Sequence, residues 1–187
     1  MDLTGNKELR QIMPFLEAKV IDQETGDILV PKGVGEVCIR GQFIMKGYKD
    51  NPQATKDMID PDGWLHTGDI GYYDEDEWLF IVDRIKELVR YKGMQVSPSE
   101  LEHLLLTHPE IVDAAVIGLP DEMAGELPRA YVVRSPGSDL NEQQVVDFVN
   151  SQVASYKKLR GGVIFISAIP KLASGKILRR QLRARIQ

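Results

Sequence analysis

Cysteine is almost missing from these 187 residues: there is one, Cys38. A disulfide framework is thereby excluded, and a reducing compartment is expected. Cys38 lies in the apolar run "EVCIR" and reads as a buried strand residue, not a nucleophile. Histidines number three, and no second His or Cys stands near His66 at metal-ligand spacing. His66 therefore reads as a structural hydrogen-bonding residue, and no metal ligand set is expected. No apolar run approaches the ~18 residues that cross a bilayer, and no signal-peptide pattern appears, so a soluble intracellular protein is expected. Also missing are a G-x-x-x-x-G-K-[ST] phosphate loop and a G-x-S-x-G elbow. There is no internal repeat and no low-complexity tract.

What is there is enough for a core. Hydrophobic residues make up 43% of the chain, and its length suits one ordinary domain or two small ones. The net charge of −5 is unevenly spread. Lys176, Arg179, Arg180, Arg183 and Arg185 form a basic end with no acid; with those five set aside, 18 basic residues face 28 acidic ones. A basic tail on an acidic body suits contact with a phosphate or carboxylate, or an exposed helix face. It is too short for nucleic acid, and no arginine–aromatic interleaving supports such a partner.

The pattern along the chain changes near Arg84. The first dozen residues read as a flexible lead-in. "LEAKVID", "VGEVCIR" and "WLFIVDR" read as strands, "NPQATKDMI" as a short helix, and "DPDGW" as a turn. This part is β-rich with few helices to cover a sheet. Beyond Arg84, "VSPSELEHLLLTHP" carries a helix start, with Ser97 as N-cap, Pro98 next and Glu100 three residues on. "DAAVIGLP", "RAYVVRS" and "GGVIFIS" read as short buried strands. "DLNEQQVVDFVNSQV" repeats the helix signature from Asp139 to Glu142, and the basic end closes as a helix. Alternating elements of this kind imply a compact α/β domain of about 100 residues.

Three stretches carry chemistry. In "GWLHTGDIG", Asp69 stands between glycines, and a carboxylate there can accept both hydroxyls of a ribose. A lone Gly-Asp pair is more often a turn. In "VDRIKELVRYKGMQV", the cations Arg84, Lys86, Arg90 and Lys92 share one parity and in a strand would face one way. Such a row is more often a solvated face than a polyphosphate site, and Gly93 permits a tight turn directly after it. In "IPKLASGKILRR", Lys176 follows the small residues Ala173, Ser174 and Gly175. It is either a solvated surface lysine or one held ready for an anion elsewhere.

Together with "GELPRAYVV", these stretches resemble, in order and spacing, successive core motifs of the adenylate-forming superfamily: acyl-CoA synthetases, 4-coumarate–CoA ligases and beetle luciferases. The resemblance runs from about Gln11 to Arg183. It implies an enzyme that joins a carboxylic acid to ATP as an acyl-adenylate, then passes the acyl group to a thiol, usually coenzyme A. It implies an α/β (α+β) fold in two parts: residues 1–82 as the β-rich end of a large adenylation domain, 83–86 as a hinge, and 87–187 as a mobile lid.

By the same resemblance, Lys176 bridges the carboxylate and the α-phosphate, Asp69 and Arg84 hold the ribose, and Lys86 is the hinge position. Arg90 and Gln95 match residues that reach the AMP phosphate after the lid turns, and Lys92 and Gly93 match positions near the coenzyme A path. The family's triphosphate loop, acyl pocket and Mg2+ ligands are expected upstream, so this segment alone is expected to be inactive. Where relatives carry lysine, this chain has Arg90, which counts against a luciferase-like monooxygenase, the alternative enzyme reading. A truncated, non-catalytic binding protein is the alternative from another class. The chain closes on "RARIQ" without a Ser-Lys-Leu address, and both cytoplasm and peroxisome remain open.

Overall fold

The computed structural model describes residues 9–10 and 15–185, so the expected lead-in falls, Leu9 and Arg10 apart, outside the described residues. The chain divides into two compact units, Met1–Lys86 and Glu87–Gln187. The architecture is mixed α and β, rich in sheet and sparing in helix.

The first unit is one antiparallel sheet of five strands: β1 (Leu9–Arg10), β2 (Leu16–Ile21), β3 (Gly35–Gly41), β4 (Leu65–Tyr73) and β5 (Leu79–Arg84), in the order β1-β5-β4-β3-β2. Alternation along β2 and β3 sets Val20 opposite Val37, and both are buried together with Leu79. Short aspartate turns fix the connections. Asp60 accepts the N–H groups of Asp62 and Trp64 at 3.0 and 2.8 Å, and Asp74 does the same for Asp76 and Trp78. Between β3 and β4 runs α1 (Pro52–Met58), where Asn51 caps the Ala54 N–H at 3.0 Å and Pro52 takes the first turn.

The second unit begins within a single 3-10 turn, Ile85–Glu87. Then come β6 (Val89–Tyr91), β7 (Met94–Val96), α2 (Pro98–Leu106), β8 (Ile111–Asp121), β9 (Gly125–Arg134), α3 (Glu142–Asn150), β10 (Val163–Phe165) and α4 (Arg179–Arg183). β9 pairs antiparallel with β8 and β6 and parallel with β10. One face of β8 and β9 buries Ala114, Val116, Ala130 and Val132 against Leu101 and Leu105 of α2 and Val145 and Val149 of α3. The other face buries Ala115, Ile117 and Tyr131 against Ile169 and Leu182.

Several expectations are corrected here. The Gly68–Asp69 pair, for which a turn is the commoner reading, lies inside the nine-residue strand β4. The strands read as short in "DAAVIGLP" and "RAYVVRS" are an eleven- and a ten-residue hairpin. Its prolines hid that length, yet Pro120 sits on β8, which among the described residues pairs with β9 alone, and there a missing donor can face solvent. The cap of α3 is Asn141 with Gln144, a reciprocal capping box, not Asp139 with Glu142. Leu140 is buried, so the helix starts only after it, in the phase that turns Val145 and Val149 inward. The four cations from Arg84 to Lys92 share no strand: Arg84 ends β5, the 3-10 turn intervenes, and Lys92 sits in the β6–β7 turn at φ 48°.

Candidate functional site

Asp69 on β4 and Arg84 on β5 are register partners, and Arg84 Nε donates to Asp69 Oδ1 at 3.0 Å. Thr67 steadies the strand between: its hydroxyl donates to the Val37 carbonyl at 2.7 Å and accepts the Asp69 N–H at 3.1 Å. Arg84 lines an open cleft of about 670 Å3 that also meets Glu36, Asp60, His66, Gly68 and Lys86. The arrangement offers a carboxylate joined to a guanidinium that lines the cleft, a suitable pairing for a polar, hydroxyl-bearing ligand.

His66 is tied into a group that the sequence did not reveal. Its Nδ1 lies 3.0 Å from Glu36 Oε2 and 3.6 Å from Cys38 Sγ, and its Nε2 lies 3.9 Å from Asp60 Oδ2. The other Glu36 oxygen accepts the Gly68 N–H at 3.2 Å. Cys38 and His66 are direct partners in the β3–β4 ladder, so their separation in sequence concealed their contact. Recognising β4 as a strand was the signal that could have paired them. Burial, with the Glu36 charge adding to it, pushes the Cys38 thiol up to about 11. Sulfur and imidazole do not suit a hard Mg2+ ion, so this group is no magnesium site.

In the second unit, Arg90 and Gln95 are partners across the β6–β7 hairpin, on the parity opposite to the buried Val89 and Val96. Lys92 and Gly93 form its two-residue turn at φ 48° and 79°. Both positive values belong to the turn that matches strand twist, which explains a glycine at the second place. The Arg90 N–H donates to Glu126 Oε2 at 2.9 Å and the Lys92 N–H to the Ala124 carbonyl at 2.8 Å. The backbone is thus fixed while the side chains of Arg90, Lys92 and Gln95 stay exposed.

Lys176 sits on a hairpin of its own. Lys171 and Ile177 form a β-bridge, the Leu172 N–H donates to the Lys176 carbonyl at 2.9 Å, and the Gly175 N–H donates to the Leu172 carbonyl at 2.9 Å. Gly175 takes φ 84°, the left-handed position that closes a three-residue hairpin loop. The small residues before Lys176 thus form a closed turn, and the freedom belongs to the side chain. The Lys176 side chain is exposed and has no partner among the described residues. Its neighbours differ. Lys171 Nζ holds Asp113 at 2.8 Å, Arg179 holds Glu102 at 2.7 Å, and Arg183 holds Glu87 at 3.3 Å. Two cations of the basic end, Arg179 and Arg183, are thus answered from within, and Ile177 and Leu182 anchor it to the sheet.

So the site residues gather in three places: Asp69 with Arg84, beside Lys86; Arg90 and Gln95 with the Lys92–Gly93 turn; and Lys176 alone on its hairpin.

Residues 100–176 match the family of the AMP-binding enzyme C-terminal domain. Over 173 residues the chain is 56% identical to luciferin 4-monooxygenase from Photinus pyralis, covering 92% of this chain and 32% of that protein. It is 58% identical over 170 residues to 4-coumarate:CoA ligase 1 from Petunia hybrida, covering 91% and 31%. The crystal structure of ATP-bound MatB from Rhodopseudomonas palustris aligns with a TM-score of 0.86 at 35% identity, over 92% of this chain and 34% of that one. The chain spans about a third of the length of the curated relatives it matches.

Proposed function

The chain belongs to the adenylate-forming superfamily, of which it carries the C-terminal portion, and from that membership we propose that it serves an ATP-dependent acid–thiol ligase of the acyl-CoA synthetase type. The observation that carries the reading is the exposed ammonium of Lys176, without a partner among the described residues, on a backbone-closed hairpin whose neighbours Lys171, Arg179 and Arg183 are paired.

The chemistry needs such a group. In the first half-reaction a carboxylate oxygen bonds to the α-phosphorus of ATP and the bond to pyrophosphate breaks. Two anions must meet, and a cation between them lowers the barrier; removing one such stabilising group typically costs ~3–4 kcal/mol. Lysine supplies a compact charge on a flexible stem. Asp69 accepts the ribose hydroxyls and Arg84 holds that carboxylate in place. In the second half-reaction the sulfur of coenzyme A bonds to the acyl carbon, AMP leaves with the electron pair, and the thiol proton passes to solvent. Lys176 must then withdraw. The chain turns at Lys86, and Arg90 and Gln95 take over the AMP phosphate, with Lys92 and Gly93 beside the thiol. The Mg2+ that accompanies ATP takes its ligands from the rest of the enzyme.

The test is acid-dependent pyrophosphate release followed by thioester formation, measured with the enzyme that contains this segment and with the 187 residues alone. The whole enzyme performs both steps and the segment neither; robust acyl-CoA formation by the segment would overturn the division of labour. The 56% identity to luciferin 4-monooxygenase favours a second reading, oxygenation of the same adenylate. Light emission with luciferin and oxygen would support it, and Arg90 speaks against it.

A further inference from the structure

Apart from the proposed ligase chemistry, we propose that Glu36, Cys38 and His66 form a binding site for a soft divalent cation of the Zn2+ type. Their Oε2, Sγ and Nδ1 atoms lie within 4.8 Å of one another, with Nδ1 at 3.0 Å from the oxygen and 3.6 Å from the sulfur. A tetrahedral zinc holds sulfur at about 2.3 Å, nitrogen at about 2.0–2.1 Å and oxygen at about 2.0–2.2 Å, which sets its ligand atoms roughly 3.3–3.6 Å apart. Nδ1 to Oε2 at 3.0 Å is shorter than that range, and Nδ1 to Sγ at 3.6 Å lies at its upper end. With all three atoms inside 4.8 Å, a shift of the Glu36 carboxylate away from His66 that keeps it near the sulfur admits the ion.

The donor types agree with the distances. Thiolate, imidazole and carboxylate are zinc ligands, and thiolate in particular selects against the hard cations. The scaffold brings the three together: Cys38 and His66 oppose one another in the β3–β4 ladder, and Glu36 lies two residues before Cys38, across a register shift in the ladder, with its carboxylate on the His66 ring. The remaining Glu36 oxygen is held by the Gly68 N–H at 3.2 Å. Asp60 stands 3.9 Å from the second ring nitrogen of His66, too far for a hydrogen bond as it stands and near enough to form one when the ring is oriented by the ion. Glu36 and His66 both line the open cleft, which gives the ion and a water as fourth ligand a way in. Binding replaces the thiol proton with the metal and releases that proton to solvent.

Cobalt(II) is the probe, added to the 187-residue chain and followed by absorption. The expected result is a near-ultraviolet thiolate-to-cobalt charge-transfer band that saturates at one equivalent and is displaced by Zn2+. Cys38→Ser removes the band. Because Cys38 is buried and its replacement can disturb folding, the partly exposed ligands give a second reading: Glu36→Gln and His66→Asn each weaken binding at least ~10-fold, and Asp60→Asn about tenfold. No charge-transfer band in the unaltered chain, or the same affinity in the Glu36 and His66 variants, overturns the proposal.

Discussion

Asp69 and Arg84 face each other across the β4–β5 ladder and are joined, Nε to Oδ1, at 3.0 Å. The guanidinium is about half exposed (49%) and the carboxylate about a quarter (26%), so water screens much of their attraction. The pair therefore contributes little to stability and is free to serve a ligand. Arg84→Ala is expected to change the unfolding free energy of the chain by less than about 1 kcal/mol in urea titration. In the intact enzyme, Asp69→Ala raises the KM for ATP far more than it lowers stability.

Glu102 and Arg179 form the opposite kind of pair. Their side chains are only 11% and 12% exposed, and Glu102 also accepts the Val116 N–H at 2.8 Å. Removing one partner leaves the other charge buried. Glu102→Ala is expected to destabilise the second unit by about 3–5 kcal/mol, read as a lowered urea midpoint.

The contrast between these pairs marks how far sequence alone reaches. The cap at Ser97, the leucine face of "SELEHLLL" (Leu101 and Leu105 buried, Leu104 partly so), the burial of Cys38 and the β-rich first unit were all legible, because capping and periodicity are local signals. The order of the motifs made the family legible. What stayed hidden is non-local. Nothing near Arg179 announces Glu102, and nothing near His66 announces Cys38, since the first meeting depends on how α2 and α4 pack beside β8 and the second on strand register. The parity row from Arg84 to Lys92 misled for the same reason: a turn between strands resets parity.

Cys38 makes stability fall at high pH. Its thiol titrates at about 11 in the folded chain against an ordinary 9.0, so between those values the unfolded chain has lost a proton that the folded chain keeps. Folding stability should fall as pH rises through that window, by up to about 1.4 kcal/mol per pH unit. Cys38→Ala flattens this slope in urea titrations between pH 9 and about 11, the window given by the shift.

Gly175 holds φ 84° with nothing within 4 Å of a built Cβ, so alanine there meets no clash and only backbone strain. Gly175→Ala is expected to lower stability by about 1–2 kcal/mol. It should also slow adenylation by the intact enzyme, because the hairpin that presents Lys176 opens. Unchanged kinetics with lowered stability would separate the turn from the chemistry.

The most direct test compares the two half-reactions in the intact enzyme bearing Lys176→Ala. Because that ammonium has no partner among the described residues, its loss should leave the melting temperature unchanged. Acid-dependent pyrophosphate release is expected to fall by roughly 100- to 1,000-fold, while thioester formation from a supplied acyl-adenylate continues near its normal rate. Equal loss in both half-reactions, or none in the first, would contradict a lysine that serves one step and leaves for the next.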